Sequence, residues 1–371
     1  MQVCLLLCYR FRQIVKEIVK NLWNGKANII QFNRSMDIDD FLLHDIKNAI
    51  QEADANCFFF QASPENTKAV DLLDNIKRTR DLLKDNKMVF IINDLFYFDA
   101  PQAIINSFYG KNNITAIITT DIDIVYALKN KDTQIRGRYN KYFLAPELYG
   151  EKADTKDYHL TPLLNFVSKN EAAEIYKYIV RHSGEVLSFR QIFESVKVNK
   201  SLPFYIDAIN YMNKTGMIYM LNRYEIKKGK KLSSGVVFYP TYISDIDLLD
   251  LPYEKRFKLK NEAYLVAKMI SDNYVVYKAI SYYSDIVDGK YKSRVEFNRG
   301  FLIEYYDRRC VIRIDFDDDD ETINRFKKAK NNIPHLIAVL GEMALIIDKD
   351  GTAYCGLQTL LKKGLDGLSF R

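Results

Sequence analysis

Metal and redox chemistry have little to work with in this chain. Its 371 residues include five cysteines and four histidines. Cys4, Cys8, Cys57, Cys310 and Cys355 are scattered, no pair has C-x-x-C zinc spacing, and the histidines stand apart from them. An odd number of dispersed cysteines gives no disulfide framework, so reduced thiols in a cytoplasmic protein are the expectation. Long apolar runs are missing too. Val3–Tyr9 is apolar, but it is short and Arg10 and Arg12 follow it. A bilayer needs about 20 such residues, and the order of a signal peptide is absent. The stretch reads as a first strand or packed terminus, with no membrane association. There is no internal repeat and no low-complexity segment.

What is present is ordinary for a globular chain: 48% hydrophobic and 27% charged residues. The length suffices for two or three domains. The net charge of +6 is too mild to imply nucleic acid by itself.

The first 150 residues alternate short apolar runs with helical patterns. Phe11–Trp23 is an amphipathic helix, with Ile14, Ile18 and Leu22 on one face. Ala27–Phe32 reads as a buried strand and residues 40–52 as the helix after it. Cys57–Gln61, Lys87–Asn93 and Thr115–Thr119 are further strands, separated by helices at 67–85 and 100–108. Continuous apolar strands alternating with helices predict a parallel sheet covered on both faces.

In such a sheet, the turn after the first strand would hold phosphates. That needs converging backbone N–H groups from glycines, then Lys and Ser/Thr. Here the turn is Asn33-Arg34-Ser35-Met36-Asp37-Ile38-Asp39, without glycine or lysine and with two carboxylates that repel phosphate. Gly25-Lys26 looks like the end of a phosphate loop but precedes the strand, so it reads as a turn. The strand 87–93 ends in Asn93-Asp94, where an ATPase would place Asp for Mg²⁺ and Glu for the attacking water. Asn-Asp at a strand end is also ordinary turn chemistry. Thr119 ends a neighbouring strand, where a polar group could sense a γ-phosphate. Arg136 and Arg138 lie in a short loop, placed to stabilise transferred charge or simply to flank a helix cap at Gly137.

Residues 151–170 are polar and read as a linker. A helix at 171–182 is followed by Ser188-Phe-Arg-Gln191, a capping box opening a helix at 189–196. Ser201 and Pro203 open a third helix, which Gly216 ends. Strands at 217–223 and 236–242 flank the basic turn Lys227-Lys228-Gly229-Lys230-Lys231. Three helices and a hairpin are the order of a winged helix-turn-helix. From Tyr176 to Lys231 there are eleven basic and four acidic residues, a larger surplus than that of the whole chain. Lys214 and the four turn lysines are therefore candidate phosphate contacts. The third helix carries no arginine, poor equipment for reading bases. Nucleic acid and protein both remain open as its partner.

From about 258 an α+β unit begins: a helix at 260–271, strands at 274–279, 294–298, 301–306 and 310–316 in an antiparallel or mixed sheet, a helix at 319–331, strands at 335–340 and 343–348, and a helix at 357–363. The acidic run from Asp315 to Glu321 lacks calcium-loop spacing and reads as a helix cap.

This order of elements resembles a family of prokaryotic AAA-type ATP-binding proteins with an ATPase domain, a winged helix and a nuclease-like domain (domain of unknown function 4143). The resemblance rests on the strand ending Thr119-Thr120, on Arg136-Gly137-Arg138-Tyr139 with Leu144-Ala-Pro-Glu-Leu148, on Ala173–Val180 with Tyr211–Tyr224, and on Asn261-Glu262-Ala263. It implies three domains: 1–150 P-loop-NTPase-like, 151–257 linker and winged helix, 258–371 nuclease-like. It also implies a nuclease-like pattern, an Asp on one strand and Glu-x-Lys on the next, with Glu262 at the opening of the helix as a further degenerate position. Here Glu296 stands at the first strand position and Arg313-Ile314-Asp315 at the second, with the charges reversed. A Mg²⁺ site needs the other order. The expectation is a non-hydrolysing scaffold or regulator with no bound cofactor and no catalytic residues, acting through a protein partner, a second copy of itself or DNA. The alternatives are a weak Mg-ATP site using Arg34, Ser35, Asn93, Asp94, Thr119, Arg136 and Arg138, and a DNA-binding regulator.

Overall fold

The computed structural model describes residues 14–32, 46–53, 55–61, 67–83, 86–121, 124, 135–144, 168–287, 291–316, 320–327 and 333–368. The turn 33–39 with Arg34 and Ser35, the start of the helix 40–52, and the linker up to 167 lie outside them. The chain forms two compact units: residues 1–164 with 214–217, and residues 165–213 with 218–371.

The first unit is a five-stranded parallel sheet. Helix α1 (14–21) precedes β1 (Ala27–Phe32). Then come α2 (Lys47–Glu52), β2 (Asn56–Gln61), α3 (Ala69–Leu82), β3 (Met88–Asn93), α4 (Pro101–Phe108), β4 (Ile114–Thr120) and β5 (Tyr139–Leu144). The strand order is β2-β3-β4-β1-β5, and every neighbouring pair is parallel. Alternation along the strands sorts the core. Ala27, Ile29, Phe90, Ile92, Ala116 and Ile118 meet α3 and α4 on one face. Ile30, Phe32, Val89, Ile91 and Ile117 meet α1 and α2 on the other.

The connection from β1 runs over the α2 face towards β2. The connections from β2 and β3 run the opposite way over the α3/α4 face, as right-handed crossovers require. Ile124 and Ile135, between β4 and β5, belong to that second face as well. The chain therefore leaves β1 and its neighbour β4 in opposite directions. That is a topological switch point, and open α/β sheets bind ligands outside the carboxyl ends of such strands. This is a P-loop-NTPase-like α/β architecture. The apolar runs foretold β1 to β4; β5 is an additional strand that the sequence reading did not find.

The second unit opens with α5 (Lys169–Arg181), β6 (Val186–Leu187), α6 (Phe189–Ser195) and α7 (Leu202–Lys214), then β7 (Ile218–Glu225) and β8 (Lys230–Pro240). The capping box is present: Gln191 N donates to Ser188 Oγ at 3.1 Å and Ser188 N to Gln191 Oε1 at 2.8 Å. Gly216 follows α7 at φ +69°, the left-handed cap expected there. Helix α8 (Tyr253–Ser271) starts seven residues before the predicted 260. Strands β9 (Val275–Val287), β10 (Tyr291–Tyr305) and β11 (Arg308–Asp315), helix α9 (Asp320–Lys327), β12 (His335–Val339), β13 (Ile346–Ile347), β14 (Ala353–Gly356) and α10 (Leu357–Gly367) complete it.

Two predicted strands, 294–298 and 301–306, are one strand bent at a bulge between Asn298 and Gly300. Gly300 has φ +86°, and a Cβ there would stand 2.2 Å from the Ile312 carbonyl oxygen. Only glycine fits that bend. The extra residue, Arg299, is buried. Its Nε donates to Ser281 Oγ at 2.7 Å, and its Nη1 reaches the carbonyls of Arg325 and Phe326 at the end of α9. The bulge thus fastens that helix to the sheet. The sheet itself has nine strands, in the order β13-β14-β12-β11-β10-β9-β7-β8-β6, because β7 pairs in parallel with β9.

His335 begins β12, buried edge-on against Phe326 at 4.9 Å. Burial and the Arg299 charge push its proton affinity from 6.5 down to about 4. Between those values the unfolded chain binds more protons, so stability should fall as pH drops from about 6.5 to about 4. The loss is up to about 3 kcal/mol. Urea unfolding at both pH values checks this: His335→Gln should shrink the difference, and an unchanged difference would refute the assignment.

Candidate functional site

At the carboxyl edge of the first sheet the strand tips carry polar residues. β3 places Asn93 at its end and β4 places Thr119 at the same level, since Ile92 stands opposite Ile118. Both are buried. The Thr119 hydroxyl donates to Asn93 Oδ1 and accepts from the backbone N–H of Asp94 at 3.0 Å. A hydroxyl has one proton to give, and this one is already committed. Asp94 sits in the left-handed region, φ 58° and ψ 59°, a conformation that costs a non-glycine residue about 1 kcal/mol. Gln31 and Thr120, opposite each other on β1 and β4, are buried at the same edge. Polar residues ending apolar runs were their only signal in the sequence.

Asn93 is neutral at the position where an ATPase strand places a carboxylate. The Thr119 hydroxyl is directed at Asn93. Among the described residues no group of three or more His, Cys, Asp or Glu side chains could hold a metal.

Arg136 and Arg138 are not brought to this edge. Arg138 immediately precedes β5, and its carbonyl accepts from Ala27 N at the entry of β1. It is four residues, about 13 Å, from the level of Thr119 along the strand direction. Its guanidinium lies over the Tyr109 ring at 5.0 Å and donates to Asn106 Oδ1 at 2.8 Å. Arg136 is exposed in the turn before it. Both arginines therefore sit at the amino edge of the sheet. Gly25-Lys26 is a turn, with Lys26 N donating to Asn24 Oδ1 at 3.1 Å.

In the second unit the basic turn joins β7 to β8. Lys227 Nζ donates to the Tyr282 carbonyl at 3.2 Å, Lys228 pairs with Glu225 at 3.7 Å, and Lys231 lies over the Tyr277 ring at 4.8 Å. Three of the four turn lysines thus engage their own unit. Lys230 is exposed at the start of β8, and Lys214 ends α7 half-buried.

The four nuclease-like positions divide between the faces of the second sheet. Glu262, on α8, is buried with Tyr239 and Lys278. The Tyr239 hydroxyl donates to Glu262 Oε2 at 2.5 Å. Lys278 Nζ stands 3.4 Å from the same oxygen, 3.2 Å from the hydroxyl and 4.4 Å from the Phe301 ring centre. Burial lowers the proton affinity of Lys278, against the opposing pull of Glu262. Burial and the carboxylate together raise the Tyr239 pKa well above its usual value. Glu296 forms an ion pair with Arg223 of β7. Arg313 lies over Phe297, beside Arg299 on the α9 side, and donates to the Asn298 carbonyl at 2.7 Å. Asp315, two residues on, shares that side. On β11 the positions facing α8 are Ile312, opposite Phe301, and Ile314. An acid on β11 and Glu262 therefore cannot meet.

No protein-family model matches the chain, and no curated protein matches it. Among solved structures it is similar to a chain in the structure of Drosophila ORC bound to GC-rich DNA and Cdc6, with 12% identity, covering 65% of this chain and 91% of that one, at a TM-score of 0.27. Saccharomyces cerevisiae RIF2 follows with 14% identity, 54% and 69% coverage and a TM-score of 0.25. The replication initiator DnaA bound to AMPPCP and single-stranded DNA gives 12% identity, 70% and 76% coverage and 0.26. Likeness at these scores carries no argument, and the fold assignment rests on strand order and connections.

Removing the carboxylate in Glu262→Leu should leave the Lys278 ammonium buried without its partner and cost about 3–5 kcal/mol in urea unfolding. The double variant Glu262→Leu/Lys278→Met should be more stable than Glu262→Leu alone. Strict additivity of the two changes would show that the pair is not coupled.

Proposed function

We propose that this protein is a non-hydrolysing scaffold or regulator built on an ATPase-type sheet. The observation that carries this reading is the hydrogen bonding of Thr119 to Asn93 and Asp94 at the carboxyl edge. The would-be phosphate sensor and the would-be metal ligand satisfy each other. The turn 33–39 adds no glycine or lysine. Each phosphate donor missing from such a turn forfeits a charge-assisted hydrogen bond of roughly 1.5–3 kcal/mol. Cellular nucleotide does not restore several of these.

The second unit supports the same reading. Its nuclease-like positions are engaged in ion pairs or point to opposite faces, which suits an inactive nuclease-like module that serves as a platform for a partner. The surplus of basic residues between 176 and 231 favours a second reading, a DNA-binding winged helix. Against it stand the three turn lysines bound within the unit. No helix among the described residues is long and apolar enough to cross a membrane.

Calorimetric titration of the full chain with Mg-ATP should show no binding tighter than about 100 μM, on the order of 5.5 kcal/mol. Tighter binding would establish an unorthodox nucleotide site and overturn the proposal.

A further inference from the structure

The amino edge of the first sheet carries a row of cations that the proposed function does not use. Lys87 immediately precedes β3, Lys26 immediately precedes β1 and Arg138 immediately precedes β5, while Lys111 lies in the turn before β4. In the sheet these four strands are consecutive neighbours, β3-β4-β1-β5. Each is entered through a cation, at the spacing of about 4.8 Å between strands. Arg136 adds a further exposed charge beside Arg138. Arg80, at the end of α3, stands close enough to Lys111 to lower its proton affinity together with burial.

Two features set this row apart from an ordinary solvated surface. Helix carboxyl ends attract cations, and α3 and α4 end at this edge. Of these two helices only α3 places a cation, Arg80, in its last turn; Lys26, Lys87, Lys111 and Arg138 lie in loops. Aromatic rings also hold two of them in place. Lys87 lies over Trp23 at 5.4 Å and Arg138 over Tyr109 at 5.0 Å, and Tyr109 is half exposed. The described carboxylates at this edge are Asp81, paired with Arg80 at 3.0 Å, and Glu52 at the end of α2. Among the described residues no ion pair engages Lys26, Lys87, Lys111 or Arg136. Like charges gathered in this way repel one another unless an anion lies across them.

We infer that the amino edge of the first unit is a docking surface for the phosphate backbone of duplex nucleic acid. The row spans about 14 Å, along which a duplex presents about eight phosphate charges. Its length suits a polyanion and not a single phosphate. Among the described residues no base-reading element lies there, so binding is electrostatic and independent of sequence. This surface is separate from the basic turn of the second unit and does not require the nucleotide reading.

Fluorescence anisotropy of the full chain with labelled 20-base-pair DNA tests the proposal. Affinity should fall steeply as salt rises from about 50 to 200 mM. The variant Lys87→Glu/Lys111→Glu/Arg136→Glu should bind at least about tenfold more weakly, with a salt slope shallower by about two to three. The milder Lys87→Gln/Lys111→Gln/Arg136→Gln should lie between it and the wild type, with thermal unfolding showing that both variants fold. A turn variant, Lys227→Glu/Lys228→Glu/Lys230→Glu, should bind like the wild type. The inference falls if the wild type shows no salt-dependent binding, if both edge variants bind as tightly as the wild type, or if the turn variant alone loses binding. Displacement of the DNA by polyglutamate at equal charge would also overturn it and identify an acidic protein surface as the ligand.

Discussion

The second unit hangs on one buried ammonium. Lys278 touches Glu262 from α8, Tyr239 from β8 and Phe301 from β10. It stands opposite Arg223 on β7, and the same row continues through Phe301, Ile312, Leu336 and Ala353. An ammonium in such surroundings is costly unless a carboxylate and a hydroxyl meet it. That requirement fixes the register at which the hairpin β7–β8 joins the later strands. A slip by one residue would turn Lys278 to the face of Tyr277 and Ala279, into the apolar cluster around Phe326.

The joining of β7 to β9 also changes what the basic turn can do. A wing that ends in free solvent can lay its lysines on phosphate. Here Lys227 and Lys231 reach residues of β9 instead. Each such contact is weak, because exposed cation contacts are worth a fraction of a kcal/mol to about 1 kcal/mol. Together they define where the turn rests. The charge surplus of the segment is therefore a poor guide to its partner, since the charge is spread over surfaces with different neighbours.

Much of this was legible in the residues. β1, β3 and β4 are continuous apolar runs because both of their faces are covered. The capping box at Ser188 and the glycine after α7 are local chemistry, and local chemistry can be read directly. β5 was missed because Tyr139-Asn-Lys-Tyr-Phe-Leu144 is a half-buried edge strand whose polar residues broke the run, and Gly137 suggested a helix end. β6, at Val186-Leu187, and β14 are too short to show a period. The first turns of α8, Tyr-Glu-Lys-Arg-Phe-Lys, carry no apolar stripe because they face solvent. Arg136 and Arg138 were grouped with Asn93 and Thr119 by order along the chain. Only the parallel direction of β5 reveals that a loop before a strand and a residue after one belong to opposite edges.

Both units satisfy polar side chains with partners of their own. At the carboxyl edge of the first sheet, a hydroxyl and an amide that could face a ligand face each other. In the second sheet, a carboxylate on α8 takes a lysine from β9, and the strand where a second acid would be needed presents isoleucines. In each case the polar groups remain at strand tips or against a helix, where the backbone still requires partners. What changes is that the partner is internal. Partners of this kind satisfy buried polar groups without a bound ion or phosphate.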